Sequence, residues 1–350
     1  MKLKAKLINY AVAKAKQNKF LKSIIEKPID LKKHSVKGTF ADSHGNSFPL
    51  YDQFRSKVKP NWQSYFANVP TQLPSNQKII TNAIDTSRLQ VERIEQLIET
   101  YVGGIKGKTV LEIGCHSGGV LYTFAQKGAL KVTGTDYVEY KVSSADSKNI
   151  EKANAEVNQS LSNLRTDMSK MFSNTNVVDY RNDDICNSQL PHSFYDIACS
   201  WDVLEHIHDP ESAFKHIYNI LKPGGISIHE YNPFFGLNGG HSPCTIDFPW
   251  GHVALNDKDF EKFCDEIQPE RKEKALSFYY KGLNRMTIAD MKSYVKKSGL
   301  ELVAFLPYTK EQHVYLINKQ TVTQAIHNYP TATIEDLLTP RVVIVLKHPA

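Results

Sequence analysis

A glycine-rich turn with an acidic residue on each side is the part of this sequence best suited to bind a ligand. Glu112 lies in a short apolar run, and Gly114 and Gly118 follow it. Glycines let a chain turn sharply and bring backbone N–H groups close to a ligand. Asp136 ends the next apolar run, and an acid about 20 residues beyond such a turn accepts hydrogen bonds from ribose hydroxyls. The pattern predicts a nucleoside site.

The turn differs from the two common turns that bind phosphates. In the dinucleotide fingerprint G-x-G-x-x-G, the middle glycine lets the backbone approach the pyrophosphate, and this chain has His116 at that position. A P-loop requires Lys followed by Ser or Thr after its glycines, and neither pair follows here. We therefore expect a nucleoside ligand without phosphates.

Apolar runs that alternate with helix-like segments must position this turn. The alternation predicts an α/β protein whose parallel strands form a sheet with helices on both faces. Residues 87–102 and 287–298 have the apolar spacing of helices and end at glycines. The predicted strands are residues 109–113, 131–136, 177–180, 195–200, 226–230, 302–306 and 341–347.

Five segments together resemble the motifs of class I S-adenosylmethionine-dependent methyltransferases. Residues 110–118 are similar to that family's first motif, an acid followed by G-x-G-x-G, with His116 replacing the central glycine. Asp136 matches the acid that binds the ribose. Residues 200–207 resemble the segment after the fourth strand, and residues 221–225 resemble the turn into the fifth strand.

The remaining motif, at residues 182–185, resembles the segment in which an acid meets the adenine amino group. Its register favours Asp184, with Asp183 as the alternative. The resemblance implies a Rossmann-like, doubly wound sheet of seven mostly parallel strands, with S-adenosyl-L-methionine as the cofactor. The cofactor-binding residues it implies are Glu112, Gly114, Cys115, His116, Gly118, Asp136, Tyr137, Asp183, Asp184, Ile185, Trp201 and Asp202.

The sequence divides into four predicted segments. Residues 1–80 contain a basic amphipathic helix at 3–26 and an aromatic-rich stretch with little regular structure, which we interpret as a lid. Residues 81–231 form the cofactor-binding core. Residues 232–284 are a loop-rich insertion after the fifth strand that we expect to cover the substrate site. Residues 285–350 complete the core and include a small helical insertion.

A methyl group leaves a sulfonium without help from an acid, so a base is needed only when the acceptor must lose a proton. Residues just beyond the fifth strand or in the insertion are candidates for this base. Glu230 is preferred over His229, which strand alternation places on the opposite face. We expect Glu205 and His206 to begin a helix and pack. The candidate catalytic residues are Glu230, His241 and His252.

No metal ion is predicted, because the spacing of the histidines and Asp247 matches no ligand motif. The five cysteines contain no C-x-x-C pair, which is typical of reduced thiols. No run approaches the roughly 20 apolar residues of a membrane helix, and no signal peptide is recognisable, so we expect a cytoplasmic protein. The helix at 3–26 could still contact an anionic membrane surface or pack on its own domain.

The net charge of +6 is concentrated in the first part of the chain. Residues 1–37 contain eleven lysines and two acidic residues, and the remainder has a net charge of −3. Because residues 38–350 have no net positive charge, we expect a small-molecule methyl acceptor, methylated on O or N, rather than a nucleic acid. Two alternatives stay open: an RNA methyltransferase that uses the lysine-rich segment, and a non-catalytic protein that binds the cofactor.

Overall fold

The computed structural model describes residues 29–66, 77–137 and 150–350. The predicted basic helix at 3–26 lies outside the described residues. The strands are β1 (Val36–Ala41), β2 (Ser47–Tyr51), β3 (Thr109–Ile113), β4 (Lys131–Asp136), β5 (Val178–Asn182), β6 (Tyr195–Trp201), β7 (Leu221–Tyr231), β8 (Glu301–Tyr308) and β9 (Arg341–Lys347).

Seven of these strands form the central sheet of the described structure, in the order β5-β4-β3-β6-β7-β9-β8. Strands β3 to β7 run parallel, and β9 is antiparallel to both of its neighbours. The predicted α/β fold with a mostly parallel, seven-stranded sheet is confirmed. Because the strand order reverses at β3, with β4 on one side and β6 on the other, a crevice opens at the carboxyl ends of these strands.

Helices cover both faces of the sheet and fill the insertion. They are α1 (Phe54–Val58), α2 (Gln63–Phe66), α3 (Gln77–Val102), α4 (Gly119–Gln126), α5 (Ile150–Ser169), α6 (Pro210–Ile220), α7 (His241–Cys244), α8 (Gly251–Ala254), α9 (Asp257–Ile267), α10 (Lys272–Lys281), α11 (Ile288–Ser298), α12 (Glu311–Leu316), α13 (Lys319–Asn328) and α14 (Ile334–Leu338). None of the helices in the described ranges is long and apolar enough to cross a membrane.

Several element boundaries extend beyond the predicted ones. Helix α3 begins ten residues before Ser87, because Ile80 and Ile84 continue its apolar face and are buried in a cluster with Tyr122 and Met168. Strand β7 begins at Leu221 rather than at residue 226, since Leu221 already pairs with Tyr195 of β6. The hydrophobic pattern alone did not reveal these extensions.

The N-terminal segment contradicts the expectation of little regular structure. Strands β1 and β2 pair as an antiparallel hairpin, with Phe40 opposite Phe48. Its turn is held by the Asp42 carboxylate, which accepts hydrogen bonds from the backbone N–H groups of His44 and Asn46, at 2.9 and 2.7 Å. A five-residue turn stabilised by one side chain has no periodicity, so the sequence pattern missed it.

The insertion at 232–284 contains helices α7 to α10, whereas we expected mainly loops. It packs against the hairpin in one hydrophobic cluster. The rings of Phe48 and Phe248 stack with centroids 4.7 Å apart, and Phe40 meets Phe263 edge to face at 5.2 Å. Two segments that are far apart in sequence thus share a single core beside the central sheet.

Candidate active site

The turn after β3 depends on glycine at two positions. Gly114 has a φ of 74°, and an added Cβ would lie 2.5 Å from Cγ2 of Val203. Gly118 has a φ of 79°, and its Cβ would lie 1.8 Å from the hydroxyl oxygen of Tyr180. The backbone N–H groups of Gly114 and Cys115 donate to the Thr135 carbonyl, which anchors the turn to β4.

A cavity of about 300 Å³ opens at the carboxyl ends of β3, β4 and β6. Nine of the twelve predicted cofactor-binding residues line it, so the sequence motifs converge on one site. The nine are Gly114, His116, Asp136, Tyr137, Asp183, Asp184, Ile185, Trp201 and Asp202. Glu112, Cys115 and Gly118 do not line the cavity.

His116, which stands where the family motif has a glycine, has a backbone conformation that glycine adopts readily. Its φ is 44°, in the left-handed region, and its side chain is exposed at the cavity. A non-glycine residue adopts this conformation at a cost of about 1 kcal/mol or more. His116 therefore brings an imidazole to the cavity from a backbone position that favours glycine.

Arg165 is a site residue that sequence reasoning missed. Its guanidinium donates to the Asp136 carboxylate at 2.5 Å and to the His116 carbonyl at 2.9 Å. It also lies over the Tyr180 ring, 4.3 Å from the centroid. Arg165 comes from α5, in a polar stretch where no motif signals a site, so only the tertiary structure identifies it.

Three buried carboxylate oxygens have no hydrogen-bond partner within the described parts of the chain: Oε2 of Glu205 and one oxygen on each of two predicted cofactor-binding residues. One is Oε2 of Glu112, and the other is Oδ2 of Asp183. Burial raises the pKa of Glu112 well above its usual value, and the Asp136 charge raises it further. Unpaired buried acceptors are costly, so both oxygens fit a ligand that brings N–H donors.

Two acids follow β5, and they differ in whether a buried carboxylate oxygen lacks a hydrogen-bond partner. Asp184 caps the short 3₁₀ helix Ile185–Asn187, and its carboxylate accepts from the Cys186 N–H at 2.9 Å. Asp183 accepts from the Gln189 N–H at 2.8 Å through Oδ1, which leaves Oδ2 unpaired. This geometry favours Asp183, the predicted alternative, as the acceptor for the adenine amino group.

Glu205, His206 and His241 form a cluster beside the cavity, which His206 also lines. Glu205 and His206 belong to the 3₁₀ helix Leu204–His206, whereas His241 begins α7 in the insertion. His241 Nε2 lies 3.8 Å from Glu205 Oε1, and the two imidazole rings are 4.9 Å apart. Among the three predicted bases, His241 is the one that the structure brings to this cluster.

Burial sets the protonation states of the cluster. It raises the pKa of Glu205 to about 8, with a smaller contribution from the Asp202 charge. Burial also lowers the pKa of His241 well below its usual value, so its imidazole is neutral at pH 7. As expected, Glu205 and His206 lie in a short helix and Glu205 is buried, and His206 in addition lines the cavity. Their ligating atoms and that of His241 lie within 4.8 Å of one another, which is also compatible with a metal ion.

Glu230 and His252 have surroundings that argue against a role as base, which corrects the prediction for both. The Glu230 carboxylate pairs with Arg93 at 3.4 Å and Arg341 at 3.0 Å, and it does not line the cavity. His252 is fully buried and donates from Nε2 to the Phe234 carbonyl at 2.8 Å. Both side chains connect elements instead.

The comparison with known families agrees with this geometry. A model of the methyltransferase domain family matches residues 86–304. The chain belongs to this family. The predicted class I S-adenosylmethionine-dependent methyltransferase, with S-adenosylmethionine as its cofactor, is thereby confirmed.

Curated relatives of this methyltransferase match over part of their length. Ubiquinone biosynthesis O-methyltransferase from Haemophilus ducreyi is 30% identical over 130 residues, which cover 37% of this chain and 47% of the relative. The enzyme of the same name from Neisseria meningitidis serogroup C is 27% identical over 172 residues, which cover 47% of this chain and 61% of the relative. The chain spans about half the length of the curated relatives it matches.

Solved structures include similar chains at low identity. The crystal structure of a putative S-adenosylmethionine dependent methyltransferase from Listeria monocytogenes is 15% identical, with a TM-score of 0.42. The match covers 76% of this methyltransferase and 100% of that chain.

Proposed function

We propose that this methyltransferase transfers a methyl group from S-adenosylmethionine to an oxygen or nitrogen atom of a small-molecule acceptor. The proposal rests mainly on the position of the Glu205–His241 pair, which adjoins the cavity lined by the cofactor motifs. Names of the curated relatives support oxygen as the acceptor atom. In this proposal residues 1–80 and the insertion at 232–284 enclose the acceptor, and the protein acts in the cytoplasm.

The cofactor-binding residues would each hold a different part of the ligand. Asp136 would accept hydrogen bonds from the ribose hydroxyls, and Asp183 Oδ2 from the adenine amino group; both residues line the cavity. Glu112, below the turn, has an unpaired oxygen suited to the amino group of the methionine portion. When bound, S-adenosylmethionine supplies a methyl group on a positively charged sulfur, which retains the bonding electrons and leaves as a neutral thioether.

His241 would remove the proton from an acceptor hydroxyl. Its imidazole is neutral at pH 7, and Nε2 has no hydrogen-bond partner in the described structure. As the acceptor oxygen bonds to the methyl carbon, its proton passes to His241. Glu205 Oε1, 3.8 Å from Nε2, would accept a hydrogen bond from the imidazolium that forms.

Labelled cofactor and the small-molecule fraction of a cell extract test this proposal. We expect wild-type protein to produce at least one metabolite that carries the deuterated methyl group, detected by mass spectrometry. His241→Ala should lower the initial rate about 100-fold or more, because a positioned base contributes about that factor. His192→Ala, which removes an exposed histidine, is the matched control and should retain the wild-type rate.

Three results would contradict the proposal. Cofactor binding without any labelled product would favour a non-catalytic binding protein. Label that appears in the RNA fraction, with binding that weakens steeply as salt rises, would favour an RNA methyltransferase. A wild-type rate for His241→Ala would show that this imidazole does not remove the proton.

A further inference from the structure

A thiol, an imidazole and a carboxylate meet at one end of the cavity. Asp184 caps the short helix that follows β5, Cys186 lies within that helix, and His208 comes just before α6. All three side chains line the cavity, although Cys186 and His208 are not among the predicted cofactor-binding residues. Cys186 is partly exposed, whereas the other four cysteines are buried. The proposed methyl transfer uses neither the thiol nor this imidazole, so their role lies elsewhere.

The distances between the three groups are close to those between ligands on one metal ion. Sγ of Cys186 lies 3.8 Å from Nδ1 of His208, and Nε2 of the same ring lies 3.9 Å from Oδ2 of Asp184. One ligating atom from each residue can be chosen so that all three lie within 4.8 Å of one another. Donor atoms on a tetrahedral zinc ion are about 3.5 Å apart, given bonds of about 2.0–2.3 Å. A small rotation of the exposed His208 side chain would produce that spacing.

Hydrogen bonds at two helix starts hold these groups in place. Oδ1 of Asp184 accepts from the Cys186 N–H at 2.9 Å. The Cys186 thiol donates to the Asp209 carbonyl at 3.4 Å, and the Asp209 carboxylate caps α6 by accepting from the Ser212 N–H at 3.1 Å. The short helix also packs on α6. A site whose ligands are positioned before the metal binds loses less conformational entropy on binding.

The charges around the three groups favour a cation. Asp183 precedes Asp184, and Asp209 follows His208. Within the described ranges, none of these three acids forms an ion pair with a lysine or an arginine; their carboxylates accept from backbone N–H groups instead. A divalent ion bound here would balance negative charge that has no other basic partner.

The mixture of ligand atoms indicates which metal would bind. Mg²⁺ and Ca²⁺ prefer oxygen ligands alone, whereas a thiolate, an imidazole and a carboxylate together are typical of Zn²⁺. Three protein ligands leave the fourth position of a tetrahedral ion open to water from the cavity. Binding breaks the S–H bond of Cys186 and forms a sulfur–zinc bond, and the proton is released to solvent without any change in oxidation state.

We propose that Asp184, Cys186 and His208 form a zinc site and that bound zinc excludes the cofactor. Asp183, whose Oδ2 is the proposed acceptor for the adenine amino group, lines the same cavity beside Asp184. Zinc and the adenine ring would therefore compete for one end of the cavity, and zinc would act as a reversible inhibitor of methyl transfer. The zinc site itself does not depend on the proposed function. The exclusion does rest on it, because it requires that the cofactor occupy this cavity.

Cobalt serves as a spectroscopic probe of the zinc site. Co²⁺ bound to a thiolate gives a charge-transfer absorption in the near ultraviolet that histidine and carboxylate ligands do not give. We expect reduced, metal-free wild-type protein to show this absorption with one equivalent of Co²⁺, and Zn²⁺ to abolish it by displacement. Cys186→Ser should not show the absorption, and His208→Ala should weaken Zn²⁺ binding about tenfold or more in calorimetry. His192→Ala, which removes an exposed histidine outside the cavity, is the control and should behave as wild type.

Competition with S-adenosylhomocysteine tests the exclusion of the cofactor. Saturating Zn²⁺ should weaken the binding of S-adenosylhomocysteine to wild-type protein at least tenfold, and a chelator should restore it. The same concentration of Zn²⁺ should leave the affinity of Cys186→Ser for S-adenosylhomocysteine unchanged, because that variant lacks the thiolate ligand.

The outcomes separate the zinc site, the exclusion and the proposed function. Wild-type protein without the cobalt–thiolate absorption, or unchanged Zn²⁺ affinity in both Cys186→Ser and His208→Ala, would overturn the zinc site. Zinc that binds there without weakening S-adenosylhomocysteine would overturn the exclusion. If S-adenosylhomocysteine does not bind folded, metal-free wild-type protein, the proposed function fails, and the cobalt spectra still decide the zinc site. Thermal unfolding verifies that the variants are folded, and the His208 side chain, 61% exposed, can be replaced without disturbing the core.

Discussion

At the scale of single residues, the turn after β3 is determined by what surrounds each glycine. Gly118 combines a φ of 79° with the Tyr180 hydroxyl 1.8 Å from an added methyl group, whereas Gly45 has a similar φ of 81° and open space around it. Alanine substitutions at these two positions therefore distinguish the free-energy cost of backbone strain from that of a steric clash.

We predict that Gly118→Ala lowers the free energy of unfolding by about 3 kcal/mol, since both costs apply. Gly45→Ala should lower it by about 1 kcal/mol, because it has the strain alone. Urea denaturation measures both. Tyr180→Phe removes the nearest clashing atom and should recover part of the loss in the double variant; a loss that is unchanged there would contradict the packing described.

His116 and Arg165 show what residue types could and could not predict. The departure of His116 from the family motif is visible in the sequence, but its positive φ is not. Arg165 carries no signal, because its meaning depends on α5 bringing it to Asp136. Asp136, in contrast, could be predicted from its position at the end of a strand.

At the scale of elements, Glu205 and His241 meet because a 3₁₀ helix after β6 and helix α7 of the insertion come together. Asn232 fixes the carboxylate, with its backbone N–H donating to Oε1 at 3.1 Å. Around Glu205 lie Asp202, which disfavours ionisation, and His241. Lys59 is also nearby.

Glu205→Gln should stabilise the fold in a pH-dependent manner. The pKa of Glu205 is raised from 4.5 to about 8, so its favourable contribution is full below pH 4.5 and is lost as pH rises through about 8. We predict that the variant matches wild type near pH 5 and gains on the order of 3 kcal/mol by pH 8.5. Guanidinium denaturation across this range measures the difference.

Glu211→Gln, at a half-exposed acid of α6, is the matched control and should show no comparable gain with pH. A Glu205→Gln difference that stays flat with pH would contradict the buried, protonated carboxyl group.

At the scale of the whole molecule, the regular alternation of strands and helices could be predicted from the sequence. The contacts between segments that are distant in sequence could not. Strand β9 was predicted with the observed boundaries, because its apolar run is uninterrupted. The hairpin and the insertion share a core through Phe48 and Phe248, which are 200 residues apart in sequence, and no local pattern encodes that pairing. The insertion that carries His241 is packed through this long-range contact.

The central claim is that the cavity beside Asp136 binds the methyl donor. Calorimetric titration with S-adenosylhomocysteine tests it most directly, comparing wild type with Asp136→Asn and with Asp196→Asn. Both acids pair with a basic residue, Arg165 and Lys222 respectively, but Asp196 does not line the cavity. We predict that wild type and Asp196→Asn bind one equivalent with similar affinity, and that Asp136→Asn binds at least tenfold more weakly. Absence of binding by folded wild-type protein, or equal affinity for all three, would contradict the account.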